Sequence, residues 1–251
     1  MKKTPIALAL LFATATSSAF AAENEFHHEA RINYGTNSEE VSDGVWSAAY
    51  RYYFEAVDQS NGPYALNGFL AQKSNVGVNY QYYDIENFDV DSINIDGKFV
   101  FDSNWFISAA YGRTNFDSFD TDSYLAEVGY YFNSSSAVSA FYSDSDNDTA
   151  EEYGLAVRSF MALESTAGIE LSANWSHTDF DDTFNVGADW YINDSWYVGA
   201  NYFDTRSSDY SISTGYWWQI SDTFSATFDA SRLIDSDVDG VNLSASIVGR
   251  F

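Results

Sequence analysis

Apolar and polar residues alternate along most of this chain, and the alternation is the first thing to interpret. In residues 92–101, Ile93, Ile95, Gly97, Phe99 and Phe101 fall on one parity, and Asn94, Asp96 and Lys98 on the other. Successive side chains of a strand point to opposite faces, so each such run predicts a strand with one apolar and one wet side. The same reading predicts strands at 26–35, 45–54, 76–84, 92–101, 105–115, 124–132, 137–143, 152–161, 169–177, 184–193, 196–203, 210–220, 224–233 and 241–251. Most of these fourteen runs approach the 9–11 residues of a tilted strand that crosses a bilayer. The seventh and eighth are the least regular, which leaves twelve as the other count.

The connections sort into two kinds. Asp102-Ser103-Asn104, residues 133–136, Asn193-Asp194-Ser195 and Ser221-Asp222-Thr223 are compact turn sequences after even-numbered strands. After odd-numbered strands come acidic loops at 37–44, 85–91, 116–123 and 144–151. With the N-terminus in the periplasm, short turns fall on that side and longer loops outside, the asymmetry of outer-membrane barrels. One segment breaks the rhythm, residues 55–74. It carries the turn signal Asn61-Gly62-Pro63, and Tyr64, Leu66, Phe69 and Leu70 would form a short amphipathic turn.

Composition separates a barrel from a soluble sandwich. Aromatic residues make up 18% of the chain, yet mean hydropathy is slightly negative at −0.28. A membrane barrel places such rings on its lipid face and in interfacial girdles while its lumen stays polar. There are two prolines and no cysteine, consistent with long strands and no disulfide framework. The net charge of −26 argues against a nucleic-acid partner.

The chain ends support export. Lys2 and Lys3, the apolar run 6–15 and Ala19-Phe20-Ala21 read as a signal peptide over 1–21, leaving 22–251 as the barrel domain. The last strand, VNLSASIVGRF, ends on an aromatic residue and resembles the C-terminal signal of bacterial outer-membrane β-barrels, with Phe251 as the membrane-assembly residue. RYYFEAVDQSNGPYALNGFL (51–70) resembles a stretch of the "putative general porin" family of Gram-negative bacteria. The resemblance implies an outer-membrane pore for small hydrophilic solutes, in contact with lipid and lipopolysaccharide and inserted by the barrel-assembly machinery. It implies no cofactor.

The phase of the strands assigns the pore-lining charges. They are Glu29, Arg31, Arg51, Asp96, Lys98, Glu127, Glu152, Arg158, Glu170, Asp189, Asp229 and Arg250, five basic and seven acidic. Gly77, Gly112, Gly129, Gly154, Gly187, Gly199 and Gly215 share that phase and are expected to leave open space. The outer loops hold the acids Glu39, Glu40, Asp43, Glu86, Asp89, Asp91, Asp117, Asp120, Asp122, Asp144, Asp146, Asp148, Asp179, Asp181, Asp182, Asp235, Asp237 and Asp239. An acidic rim favours cations. Asp144/Asp146/Asp148 and Asp235/Asp237/Asp239 have alternate oxygens but lack the glycine and distant glutamate of an EF-hand loop. The other readings are a structural or adhesive barrel, or a hydrolase using His177 beside Asp179, Asp181 and Asp182. Ser176 and His177 are adjacent on a strand and so point apart. His27 and His28 read as interfacial polar residues. Uniformly apolar outward faces favour a monomer over a trimer.

Overall fold

The computed structural model describes residues 24–41, 44–85, 88–116, 119–146, 151–204, 208–234 and 239–251. The signal segment 1–21 lies outside them, as do Asp43, Glu86, Asp117, Asp148, Asp235 and Asp237. Fourteen antiparallel strands close into one barrel in which every strand pairs with its sequence neighbours and the first pairs with the last. They are β1 (Glu25–Asn37), β2 (Gly44–Asp58), β3 (Asn75–Ile85), β4 (Phe88–Val100), β5 (Trp105–Phe116), β6 (Phe119–Asn133) and β7 (Ser136–Ser145). The second half comprises β8 (Glu152–Ala162), β9 (Gly168–Thr178), β10 (Asp182–Asn193), β11 (Trp196–Asp204), β12 (Ser208–Gln219), β13 (Phe224–Ile234) and β14 (Asn242–Arg250). Closure removes the unpaired edges that an open sheet would carry. No helix among the described residues is long and apolar enough to cross a membrane.

The seam is set by the C-terminus. Glu29 pairs with Arg250 and Asn37 with Asn242 across β1 and β14. Beyond the last paired residue, the Phe251 carbonyl accepts from His27 N (2.7 Å) and His28 N (2.9 Å), and Phe251 N donates to His28 O (2.9 Å). The Phe251 ring meets Phe224 edge-on.

The outer wall is apolar. Ile93, Ile95, Phe99, Val128, Leu155, Leu171, Ile212, Phe228, Leu243 and Ile247 all present exposed side chains, as the alternation predicts. Trp46, Trp105, Trp190, Trp196 and Trp218 stand on the same face.

The strands extend further than the alternation shows. The second and third acidic loops contract to two residues each, because pairing continues to Ile85↔Phe88 and to Phe116↔Phe119. Asp89, Asp91, Asp120, Asp122, Asp144 and Asp182 are therefore on strand ends rather than in loops. A ladder forms wherever backbone donors and acceptors can pair, whereas alternation appears only where one face meets an apolar medium. Above that zone both faces are wet and the pattern vanishes while the strand goes on.

The turn end is different. Strand β2 runs to Asp58, and residues 59–74 then fold across the opening as a cap with a 3-10 turn (Tyr64–Leu66) and one helical turn, α1 (Asn67–Leu70). Gly62 adopts φ +79°, where a Cβ would also lie 2.9 Å from Leu70 Cδ1.

Candidate functional site: the barrel lumen

The cap packs on aromatic rings that point inward. Leu66 and Leu70 are buried against Phe160 and Tyr191, and Phe69 bridges that cluster to Phe106, Tyr131 and Ala137 on the facing wall. Ala71 packs on Phe26, Tyr53 and Val57. Tyr64 lies against Trp217. These rings correct the expectation of a purely polar lumen. At the turn end the interior is a small apolar core, because the cap supplies an apolar surface that must be covered.

Arg250 anchors the cap. Its guanidinium donates to Glu29 Oε2 (2.8 Å), Asn67 Oδ1 (2.9 Å) and Tyr64 O (2.9 Å), and lies between the rings of Phe26 and Trp217 at 4.7 and 4.5 Å. Asn67 is fully buried and returns its amide protons to Gln59 O and Asn61 O. The five donors of an arginine fork suit such a multiple anchor, where a lysine would serve one direction at a time. Arg250 points inward, as the strand phase requires, but only 5% of its side chain is exposed, so it faces the cap rather than water. Turn contacts complete the seating: Tyr64 N donates to Asp194 O, Gln72 Nε2 to Asn133 O and Gln59 Nε2 to Asp222 O.

Above the cap, all twelve charges assigned by phase lie on the inner wall. A cavity of about 400 Å³ is lined by Glu29, Arg31, Arg51, Asp96, Lys98, Glu127, Arg158 and Arg250, together with Ala65, Gly68, Phe69 and Lys73. A second, of about 290 Å³, is lined by Arg31, Arg158, Glu170, Asp189 and Asp229 along with Ala65 and Leu66 of the cap. Glu152 lines a third, of about 490 Å³, nearer the loop end. The fourth, of about 620 Å³, has Thr36, Asn37, Ser213, Ser231, Asn242 and Ser244 on its walls. The 490 Å³ cavity shares Ala110 and Leu125 with the 400 Å³ one, and the 620 Å³ cavity shares Tyr197 and Asp229 with the 290 Å³ one. Open space thus runs from the loop end down to the cap along two sides of the lumen, and its lining is most polar beside the cap.

Several charges are paired. Arg51 forms a two-pronged bridge to Asp96 (2.7 and 2.9 Å) and also meets Asn75. Arg158 binds Glu170 and lies 4.3 Å over the Phe69 ring of the cap. Glu127 accepts from Ser108 Oγ (2.6 Å) and Asp229 from Tyr197 OH (3.0 Å). Arg31 and Lys98 form no ion pair among the described residues; each stacks on a ring, Trp217 and Phe106 respectively.

The inward glycines do not leave open space. Each sits directly opposite a larger residue that lies down over it: Arg51 on Gly77, Asn94 on Gly112, Phe106 on Gly129, Phe141 on Gly154, Asn201 on Gly187, Asp189 on Gly199 and Tyr197 on Gly215. A Cβ at Gly129 would fall 2.2 Å from the Phe106 ring. The missing side chains make room for neighbours to flatten against the wall, and the channel space lies beyond them.

The remaining candidates fall elsewhere. His177 Nδ1 is 3.0 Å from Asp182 Oδ1 on the outer face, whereas Ser176 is buried on the inner face with its hydroxyl 2.7 Å from Thr183 Oγ1. Serine and imidazole thus sit on opposite sides of the wall. His27 Nδ1 donates to Tyr53 O (2.9 Å), and His28 Nδ1 hydrogen-bonds Tyr50 OH (2.6 Å), near the seam. The two alternating aspartate runs fall partly outside the described residues.

The comparisons with known proteins agree with this architecture. The family model described as "Putative general bacterial porin" matches residues 1–139. The crystal structure of the Acinetobacter baumannii outer membrane protein Omp33 superposes with a TM-score of 0.70 at 20% identity, covering 92% of this chain and all of that one. A structure named a bacterial polysaccharide outer membrane secretin gives 0.52 at 12% identity, with 92% and 100% covered. At these identities both are similar in fold alone. No curated protein matches the chain by sequence.

Proposed function

The chain belongs to the family described as "Putative general bacterial porin", and from that premise we propose that it forms a water-filled outer-membrane channel for passive diffusion of small hydrophilic solutes and ions, with a modest preference for cations. The observation that carries the channel reading is the series of cavities, joined by shared lining residues and charged on the cap side, inside a closed fourteen-strand wall whose outer face is apolar. Eight-stranded barrels fill their interior with side chains and 16–18-stranded ones open an aqueous channel; fourteen strands with a cap give a narrow pore.

The preference for cations is supported by the carboxylates at the loop end. Glu152 on the inner wall accepts from Ser143 Oγ, and Asp89 and Asp91, on the outer parity at the strand ends, accept from Tyr82 OH and Asn115 Nδ2, neutral donors that leave the charge uncancelled. Anionic side chains around a low-dielectric opening raise the local cation concentration. The turn end faces the periplasm in this reading, with residues 1–21 removed on export, Phe251 read by the barrel-assembly machinery, and lipid and lipopolysaccharide around a monomeric wall.

Proteoliposome swelling tests the channel. Vesicles containing folded protein are expected to swell in small uncharged sugars and progressively less in larger ones. Vesicles that swell no faster than protein-free controls in any sugar would remove the channel reading and favour a structural role.

A further inference from the structure

The cap network leaves charges unspent on the floor of the lumen, and they converge on one cavity. In the space of about 290 Å³ between the cap and β10–β13, Arg31 projects from β1 and Asp189 and Asp229 from β10 and β13. Arg31 has no ion pair, and Asp189 makes no hydrogen bond or ion pair, among the described residues. The Arg158–Glu170 pair on the same wall cancels itself. Thr227, 5% exposed, lines the same cavity, and its Oγ1 is buried without a hydrogen-bond partner among the described residues. A buried hydroxyl left unpaired is costly unless something supplies the bond.

We propose that this cavity binds a small zwitterionic solute, its carboxylate on Arg31, its ammonium on Asp189 and Asp229, and its polar groups completing Thr227 Oγ1. A plain anion would gain Arg31 but face Asp189 and Asp229. A plain cation would gain those two carboxylates but face Arg31. A zwitterion satisfies both signs and enters with no net charge. The volume lies near the lower end of the roughly 300–1,000 Å³ typical of ligand pockets, which suits an amino-acid-sized molecule. The 620 Å³ cavity, sharing Tyr197 and Asp229, supplies the approach from the loop end.

The inference rests on the channel reading for how the solute arrives, and its test is made without current. Ligand-observed saturation-transfer NMR on detergent-folded protein would compare 4-aminobutyrate with butyrate and butylammonium, which each lack one of its charges. The expected result is binding of 4-aminobutyrate at least fivefold tighter than either. Arg31→Gln and Asp189→Asn should each weaken it at least fivefold, and Arg31→Lys should restore most of it. Heat-modifiable electrophoretic mobility checks that each variant is folded. Equal binding of butyrate, equal binding of butylammonium, no binding of any probe, or folded variants that bind unchanged would each overturn the proposal. Binding without swelling breaks the channel reading alone, and swelling without binding breaks this inference alone.

Discussion

The two ends of the barrel use charge in opposite ways. At the turn end, Glu29, Asp96 and Glu170 each face an arginine, and Arg250 is buried among rings while it holds the cap. At the loop end, Asp89, Asp91 and Asp122 accept from tyrosine or asparagine. One arginine there, Arg113, contacts Asp120 and Asp122 with nearly half its side chain exposed. The Arg250–Glu29 pair is the least exposed of these; a buried pair fixes a geometry and is costly to break on one side, whereas exposed charges contribute little to stability and act through a screened field. One end therefore determines where the cap sits, and the other which ions gather. The same residue types do both jobs, separated only by depth.

The largest way to break this contrast is to remove the cap. Replacing residues 60–71 by a short Gly/Ser turn should leave a folded barrel whose unitary conductance rises several-fold, because the segment filling the turn-end opening is gone. Next is Arg250→Ala, which strands Glu29 and two cap acceptors. It should cost about 3–5 kcal/mol, read as a lower urea midpoint for unfolding in lipid, and should also raise conductance. Arg250→Lys should fall between, keeping the charge and losing the fork.

Gly129→Val forces the Phe106 ring off the wall and into the cap cluster, which overpacking places at about 1–3 kcal/mol in the same unfolding measurement. An unchanged midpoint would mean that the rings tolerate displacement and that the cap is loosely held. The smallest effect on stability belongs to the loop end. Converting Asp89, Asp91, Asp120 and Asp122 together to Asn should shift stability by no more than about 0.5 kcal/mol per site. It should nevertheless move the reversal potential toward zero at low salt. That difference should fade near 1 M salt, where the screening length is about 3 Å.

Much of this was legible because the bilayer imprints a period of two. The strands, least regular at the seventh and eighth runs, and the inward phase of the charges follow from alternation, and the tight turns from their Asp, Asn and Ser residues. The strand tops were not legible, since beyond the apolar zone Asp and Ser tolerate either face and only backbone pairing continues. The inward rings of Phe106, Tyr131, Phe160, Tyr191 and Trp217 stood on the wet parity, directly beside outward aromatics such as Trp105, Tyr130 and Trp218. That adjacency was the available signal that something apolar had to lie inside. Residues 55–74 offered the matching surface in Tyr64, Leu66, Phe69 and Leu70. The bonds from Arg250 to Asn67 and Tyr64 join positions far apart in sequence, and no local pattern encodes such a contact.

The most direct test of the account is the reversal potential of single channels in a planar bilayer under a KCl gradient, with the folded protein in dilute salt. The account predicts small unitary steps and a potential displaced toward the cation side, shrinking as salt is raised. Steps with an anion-directed potential in dilute salt would contradict the role given to the loop-end carboxylates, and folded protein that never produces a step would contradict the channel itself.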